Sequence, residues 1–162
     1  MKSCLVTGSF DPFTLGHYDI VCRAAKLFDK VYVAILVNPL KKCLFSVSAR
    51  HEIAKKSVET LEHVEVISYA GMTVELAKQL DTAYLVRGIR NGDDYLYEFE
   101  MAEFNRLNGE LETVSLFTDS RYDKISSTDV RLRLARKEDI RGLVCRGARE
   151  LIYALYFGRK EG

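Results

Sequence analysis

The chain has 162 residues, 48% of them apolar and 29% charged, with a formal net charge of +1; this suits one core of ordinary size and excludes a dedicated nucleic-acid binder, which would be clearly basic. Cys4, Cys22, Cys43 and Cys145 are widely spaced with no C-x-x-C pair, which argues against a zinc ribbon or a secreted disulfide framework and for a reducing, cytoplasmic setting. No apolar run approaches the roughly 20 residues of a membrane span, and the N-terminus enters a strand pattern without a signal-peptide apolar region.

Lys2 to Thr7 is predicted to be a first strand, buried on both faces. Gly8-Ser9-Phe10-Asp11-Pro12-Phe13-Thr14-Leu15-Gly16-His17 then leads through a glycine turn and a short loop into a helix from Gly16 to Phe28, with Ile20, Val21, Ala24, Leu27 and Phe28 on one stripe. Val31 to Val37 is a continuous β-rich run suited to a central parallel strand, ended by Asn38-Pro39. After the basic loop Lys41-Lys42, Ser46 or Ser48 caps a helix reaching about Leu61. Val64 to Ser68 is a third strand, Met72 to Leu80 a short helix, and Ala83 to Val86 a fourth strand closed by Arg87-Gly88-Ile89-Arg90. From Asp94 to Asn108 two periods compete. Tyr95, Tyr97, Phe99 and Met101 alternate as in a strand, yet Tyr95-Phe99 and Tyr97-Met101 also match helical spacing, and length and glutamate content favour a helix. Val114 to Phe117 is a fifth strand, Thr128 to Ala135 a helix capped by Ser126 or Ser127, and Arg146 to Phe157 a last helix.

Strands alternating with helices imply βαβ units. The predicted fold is α/β: a single Rossmann-like domain over 1–162, doubly wound, with about five parallel strands, helices on both faces and right-handed crossovers. Ligands of such sheets bind beyond the carboxyl ends of the strands, where strand order reverses. That rule gathers three segments onto one rim: the decamer, Arg87 to Arg90, and Tyr122 to Thr128.

The residue types on that rim suit phosphate. A helix N-terminus offers unpaired N–H groups and partial positive charge. Gly8 permits a tight turn, Gly16 permits close approach to the first helical turn, and His17 can donate to the same anion. Arg87 and Arg90 flank Gly88-Ile89, so two guanidinium groups stand beside a glycine whose backbone an anion can approach. Taken singly, each feature also has a plain structural role. His17 could cap its helix, Glu98 could lie on an exposed helix face, and Ser126, Ser127 and Thr128 could be ordinary caps. Lys41-Lys42 could be solvated charge, Tyr122 a loop aromatic at the core's edge, and Met72 core. His51 and His63 match no motif and are assigned to a helix surface and a strand edge. Arg131, Arg133, Arg136, Arg141, Arg146 and Arg149 form a candidate basic stripe, for which RNA binding is the functional reading and a solvated or subunit-facing surface the simpler one. There is no metal-ligand cluster and no Walker A lysine loop.

The decamer, ending Thr14-Leu15-Gly16-His17, resembles the signature of the nucleotidyltransferase superfamily, and Ile125-Ser126-Ser127-Thr128-Asp129-Val130-Arg131 resembles its second signature. Thr14, where other branches place His, and Arg87-Gly88-Ile89-Arg90 followed by Asp94, Tyr97-Glu98 and Asn105 resemble the phosphopantetheine adenylyltransferases; Thr128 and Arg131 depart from that family's usual Ser and Lys. The alternative is a nicotinamide-mononucleotide adenylyltransferase or a cytidylyltransferase of the same superfamily.

The resemblance implies transfer of the adenylyl group of ATP to 4′-phosphopantetheine, giving 3′-dephospho-CoA and pyrophosphate, in coenzyme A biosynthesis, by in-line attack without a covalent intermediate. It implies catalytic roles for His17, Lys41 and Arg90. It places Ser9, Lys41, Thr73 and Arg87 on phosphopantetheine, and Ser9, Phe10, His17, Gly88, Ile89, Arg90, Glu98, Tyr122, Ile125, Ser126, Ser127 and Thr128 on ATP. Mg²⁺ would arrive with ATP, CoA is a further candidate ligand, and the family forms homohexamers. Neither nucleic acid nor membrane is expected as a partner.

Overall fold

A computed structural model describes residues 1–158. Among these, the elements are β1 (Ser3–Gly8), α1 (Leu15–Leu27), β2 (Lys30–Leu36), α2 (Val47–Val58), β3 (Val64–Tyr69), α3 (Thr73–Gln79), β4 (Tyr84–Ile89), α4 (Gly92–Gly109), β5 (Glu112–Phe117), α5 (Ser127–Ala135) and α6 (Arg146–Phe157). The five strands are parallel and ordered β3-β2-β1-β4-β5.

Alternation along the central strands builds the layers, because successive strand side chains point to opposite faces. Cys4, Val6, Val31, Val33, Ile35 and Val86 enter one core with residues of α1, α2, α5 and α6. Leu5, Ala34 and Leu85 enter a second with Val74, Leu76 and Ala77 of α3 and with Leu111. Helices therefore cover both faces. The order runs outward from β1 to β3 on one side and through β4 to β5 on the other, so the switch point lies between β1 and β4.

Several expectations shift. The fourth strand runs on through Ile89, because Arg87, Gly88 and Ile89 pair with Ser115, Leu116 and Phe117. The ambiguous stretch is a helix, as its length suggests, with the cap on Asn91, whose side chain accepts from the Asp94 N–H. Ser46, not Ser48, caps α2, which stops at Val58, short of Leu61. Ser126, not Ser127, caps α5. Leu27 leaves the predicted stripe and is 56% exposed: α1 ends there, and Phe28, extended, packs its ring on Tyr84 instead. Met72 is exposed rather than core. The segment after Arg141, which matched no pattern, supplies Leu143, Val144, Cys145, Ala148 and Ile152 to the larger core. The Leu143 carbonyl also accepts from the Leu15 N–H at the start of α1. The last four residues of the expected 1–162 domain lie outside the described residues.

Candidate active site

A cavity of about 390 Å³ opens at the switch point, and all three expected segments line it. Ser9, Phe10, His17, Lys41, Arg87, Gly88, Arg90 and Glu98 are on its wall, together with Tyr122, Ile125, Ser126, Ser127 and Thr128. Ile89 is buried and instead lines a smaller adjoining cavity of about 250 Å³ with Arg90, Tyr95 and Phe117. Thr73 lines neither cavity. It follows β3, two strand spacings or about 10 Å from β1 along the same rim.

The imidazole is fixed by a capping box in which His17 takes the place usually held by Glu. Thr14 caps α1: its hydroxyl accepts from the His17 N–H at 3.4 Å, and His17 Nδ1 accepts from the Thr14 N–H at 3.0 Å. A nitrogen accepting from a backbone amide carries no proton, so the proton of the neutral ring sits on Nε2 as a donor. Phe10 meets the ring edge-on at 4.9 Å and Phe13 flanks it at 5.4 Å. Burial, with the positive charges of Arg87 and Arg90, lowers the His17 pKa to about 4. His17 is thus a neutral N–H donor at physiological pH.

Phe10, not Gly8, makes the sharp turn, at φ 48. At Gly8 a Cβ would lie 3.1 Å from the Phe10 ring, which would have to give by a few tenths of an ångström. At Gly16 a Cβ would make only ordinary contacts of 3.6 Å or more, so the protein's own packing does not demand glycine there.

The charged residues are already partnered. Lys41 Nζ donates to Ser9 Oγ at 3.0 Å. Arg87 Nε and Nη2 donate to the Glu98 carboxylate at 2.8–3.0 Å, and Nη1 donates to the Thr7 carbonyl at 2.6 Å. Glu98 is therefore buried, not on an exposed face, and it aims Arg87 across the β1–β4 junction. Arg90 pairs with Asp94 at 3.0 Å and remains half-exposed at the rim.

The hydroxyls of the second signature are engaged rather than standing free, one of them on the first loop. Ser126 Oγ accepts from the Asp129 N–H, Ser127 Oγ donates to the Pro12 carbonyl, and Thr128 Oγ1 accepts from Arg131 Nη2. Arg131 Nη1 also donates to the Asp11 carbonyl at 2.7 Å. What α5 offers an anion is its first-turn N–H groups, which have no partner within a helix. Arg121 lies over the Tyr122 ring at 5.3 Å beside the opening.

The carboxylates of the cavity wall are engaged: Asp11 with the Leu44 and Phe45 N–H groups, Asp94 with Arg90, and Glu98 with Arg87. Among the described residues no cluster of His, Cys, Asp or Glu could hold a metal ion. This donor set suits a cation that arrives on a polyphosphate better than one the protein holds alone. The basic stripe is interleaved with acids: Arg133 pairs with Asp129, Arg141 with Asp139 and Arg149 with Glu150. Sequence reasoning missed Asp11 and Arg50, which tie the decamer to the Lys41 loop. Asp11 was visible in the motif, whereas Arg50 gave no signal.

Residues 5–133 match the family described as Cytidylyltransferase-like. Relatives named phosphopantetheine adenylyltransferase include one from Streptococcus gordonii, 45% identical over 86% of this chain and 86% of its own length. A second, from Caldanaerobacter subterraneus, is 42% identical over 81% and 82%, and a third, from Clostridium novyi, 39% over 89% and 90%. A solved structure from Vibrio parahaemolyticus, named provisionally as a nicotinate-nucleotide adenylyltransferase, superposes with a TM-score of 0.67 over 94% of this chain and 99% of that one, at 20% identity; it speaks to the fold alone. No helix among the described residues is long and apolar enough to cross a membrane. Signature loops, sheet order and relatives converge: this chain belongs to the cytidylyltransferase-like family of nucleotidyltransferases, with the phosphopantetheine adenylyltransferases.

Proposed function

We propose that this protein is a phosphopantetheine adenylyltransferase, joining ATP and 4′-phosphopantetheine to give 3′-dephospho-CoA and pyrophosphate. The observation that carries the reading is a neutral His17 presenting an Nε2–H donor into the cavity that Lys41, Arg87 and Arg90 also line. A phosphate monoester is already ionised at neutral pH, so its oxygen attacks the α-phosphorus of ATP without a strong base. The bond from α-phosphorus to the bridging oxygen breaks, and pyrophosphate leaves.

Catalysis then consists of positioning and charge stabilisation. Lys41 and Ser9 aim the attacking phosphate, and the N–H groups left on Arg87 help to hold it. His17 donates to the α-phosphate as negative charge builds, and Arg90 holds the departing pyrophosphate. The Ser127 and Thr128 N–H groups receive the polyphosphate, with Tyr122 and Ile125 beside the nucleoside. The pantetheine arm runs along the rim toward Thr73. Mg²⁺ comes with ATP and neutralises the polyphosphate when bound. Four free thiols support a cytoplasmic setting. The exposed apolar residues Leu96, Tyr97, Phe99 and Leu107 on α4 support a homo-oligomer, a hexamer on the family's pattern.

The test is pyrophosphate release with each donor and acceptor pair in turn: ATP with 4′-phosphopantetheine, ATP with nicotinamide mononucleotide, and CTP with phosphocholine. Turnover with 4′-phosphopantetheine, and not with nicotinamide mononucleotide or phosphocholine, is expected. Preference for either of the others would move the chain to a neighbouring branch.

A further inference from the structure

Among the described residues, Arg50 is a buried cation that pairs with no acid. It stands at the fourth position of α2 and is 4% exposed. Its Nε donates to the Phe45 carbonyl at 3.2 Å and its Nη1 to the Ser9 carbonyl at 2.8 Å; neither bond goes to a carboxylate. A buried guanidinium without a counter-charge is an expensive residue, and the positive end of a helix is a poor place for a cation. Its position therefore calls for a reason other than α2 itself.

That reason lies in the peptide it holds. The Ser9 carbonyl belongs to the peptide that turns about φ of Phe10, and Phe10 has φ 48. A non-glycine residue stays in the left-handed region when its surroundings hold it there. From the opposite direction, the Asp11 carboxylate accepts from the Leu44 and Phe45 N–H groups at 2.8 and 2.9 Å. The decamer and the segment 38–50 are thus joined by two straps of opposite charge, Arg50 of α2 on the decamer's backbone and Asp11 on the backbone of Leu44 and Phe45. Between them sits the Lys41 Nζ to Ser9 Oγ contact at 3.0 Å. Arg50 itself is behind the cavity wall, not on it.

We propose that Arg50 is a positioning residue for adenylyl transfer, holding the Ser9 peptide in the register that lets Ser9 and Lys41 face the reacting phosphates together. The proposal rests on the reading of the site given above. Because Arg50 acts through that pair, its effect depends on Lys41.

The experiment is a double-mutant cycle on the full chain, read as kcat per folded molecule well below the melting temperature, with ATP affinity measured by titration. Arg50→Met fills the same space with an apolar chain of similar reach. It is expected to lower kcat about 10- to 100-fold, the scale of a slightly misplaced group, with ATP affinity little changed. Arg50→Lys, keeping one donor, recovers part of the loss. In a Lys41→Ala background Arg50→Met costs much less than in the unaltered chain, since coupled residues are not additive. If Arg50→Met does not fold, the same cycle run with Arg50→Lys decides. An unchanged kcat in the folded variant, or the same fold-loss with and without Lys41, overturns the proposal. The unaltered chain is assayed in parallel with the acceptor panel. Should it prefer another acceptor, the substrate assignment fails while the cycle, run with that acceptor, still judges Arg50.

Discussion

Thr14 and His17 show how a sequence signature becomes chemistry. Thr14 acts on the helix: it caps α1 and, through its own N–H, decides which imidazole nitrogen carries the proton. His17→Ala should lower kcat by about 10²–10³, the scale of losing one transition-state donor, with little change in ATP affinity measured by titration. Near-normal turnover would remove His17 from the mechanism. Because the His17 pKa is lowered to about 4, the ring stays neutral at neutral pH, and no acid limb from this group is expected near its ordinary value. For stability the sign is set by the unfolded chain, which binds the proton first. The contribution of the neutral ring is fully present above the ordinary pKa of about 6.5 and is lost as pH falls toward 4. Urea midpoints at pH 7 and pH 5 should therefore converge more closely in His17→Gln than in the unaltered chain.

Elements turn these residues into a site through a few close contacts. Gly88 was legible as a residue that an anion could approach, yet its tightest neighbour is protein: a Cβ there would lie 3.1 Å from both Ile20 Cδ1 and Cγ1. Ile20 is three residues beyond His17 on α1, so β4 and the helix that carries His17 share this contact. Gly88→Ala should destabilise by about 1 kcal/mol, the low end for overpacking, since an Ile tip can yield. Adding Ile20→Val, which removes Cδ1, should recover part of that in thermal melts; no recovery would place the strain elsewhere. Strand and helix identities could be read because their periods are strong, as in Val31 to Val37. Boundaries could not: Arg87 and Gly88 look like a loop by type, and only the pairing offered by Ser115 and Leu116 keeps them in β4. Glu98 was legible as part of the motif, but the Thr7 group that fixes Arg87 and the Phe45 and Ser9 groups that hold Arg50 are backbone carbonyls, which leave no sequence pattern.

At the scale of the whole molecule, the sheet brings three distant loops to one rim, and the terminal helix supports them from behind. Ile152 of α6 is fully buried in the core that α1 and α2 share. Ile152→Ala should cost about 2–5 kcal/mol in urea unfolding, while a change of a few tenths would mean that α6 is not part of the cooperative unit. The rim was predictable because the order of a parallel sheet dictates where ligands go; the support from residues 140–157 was not, because their apolar residues carry no motif. What the assembled rim should do is pass an adenylyl group directly between two bound phosphates. Exchange of labelled pyrophosphate into ATP, measured with and without 4′-phosphopantetheine, tests this directly. Label should enter ATP when the acceptor is present and not when it is absent, whereas exchange without acceptor would reveal an adenylylated enzyme, with Lys41 the first residue to examine, and contradict direct transfer.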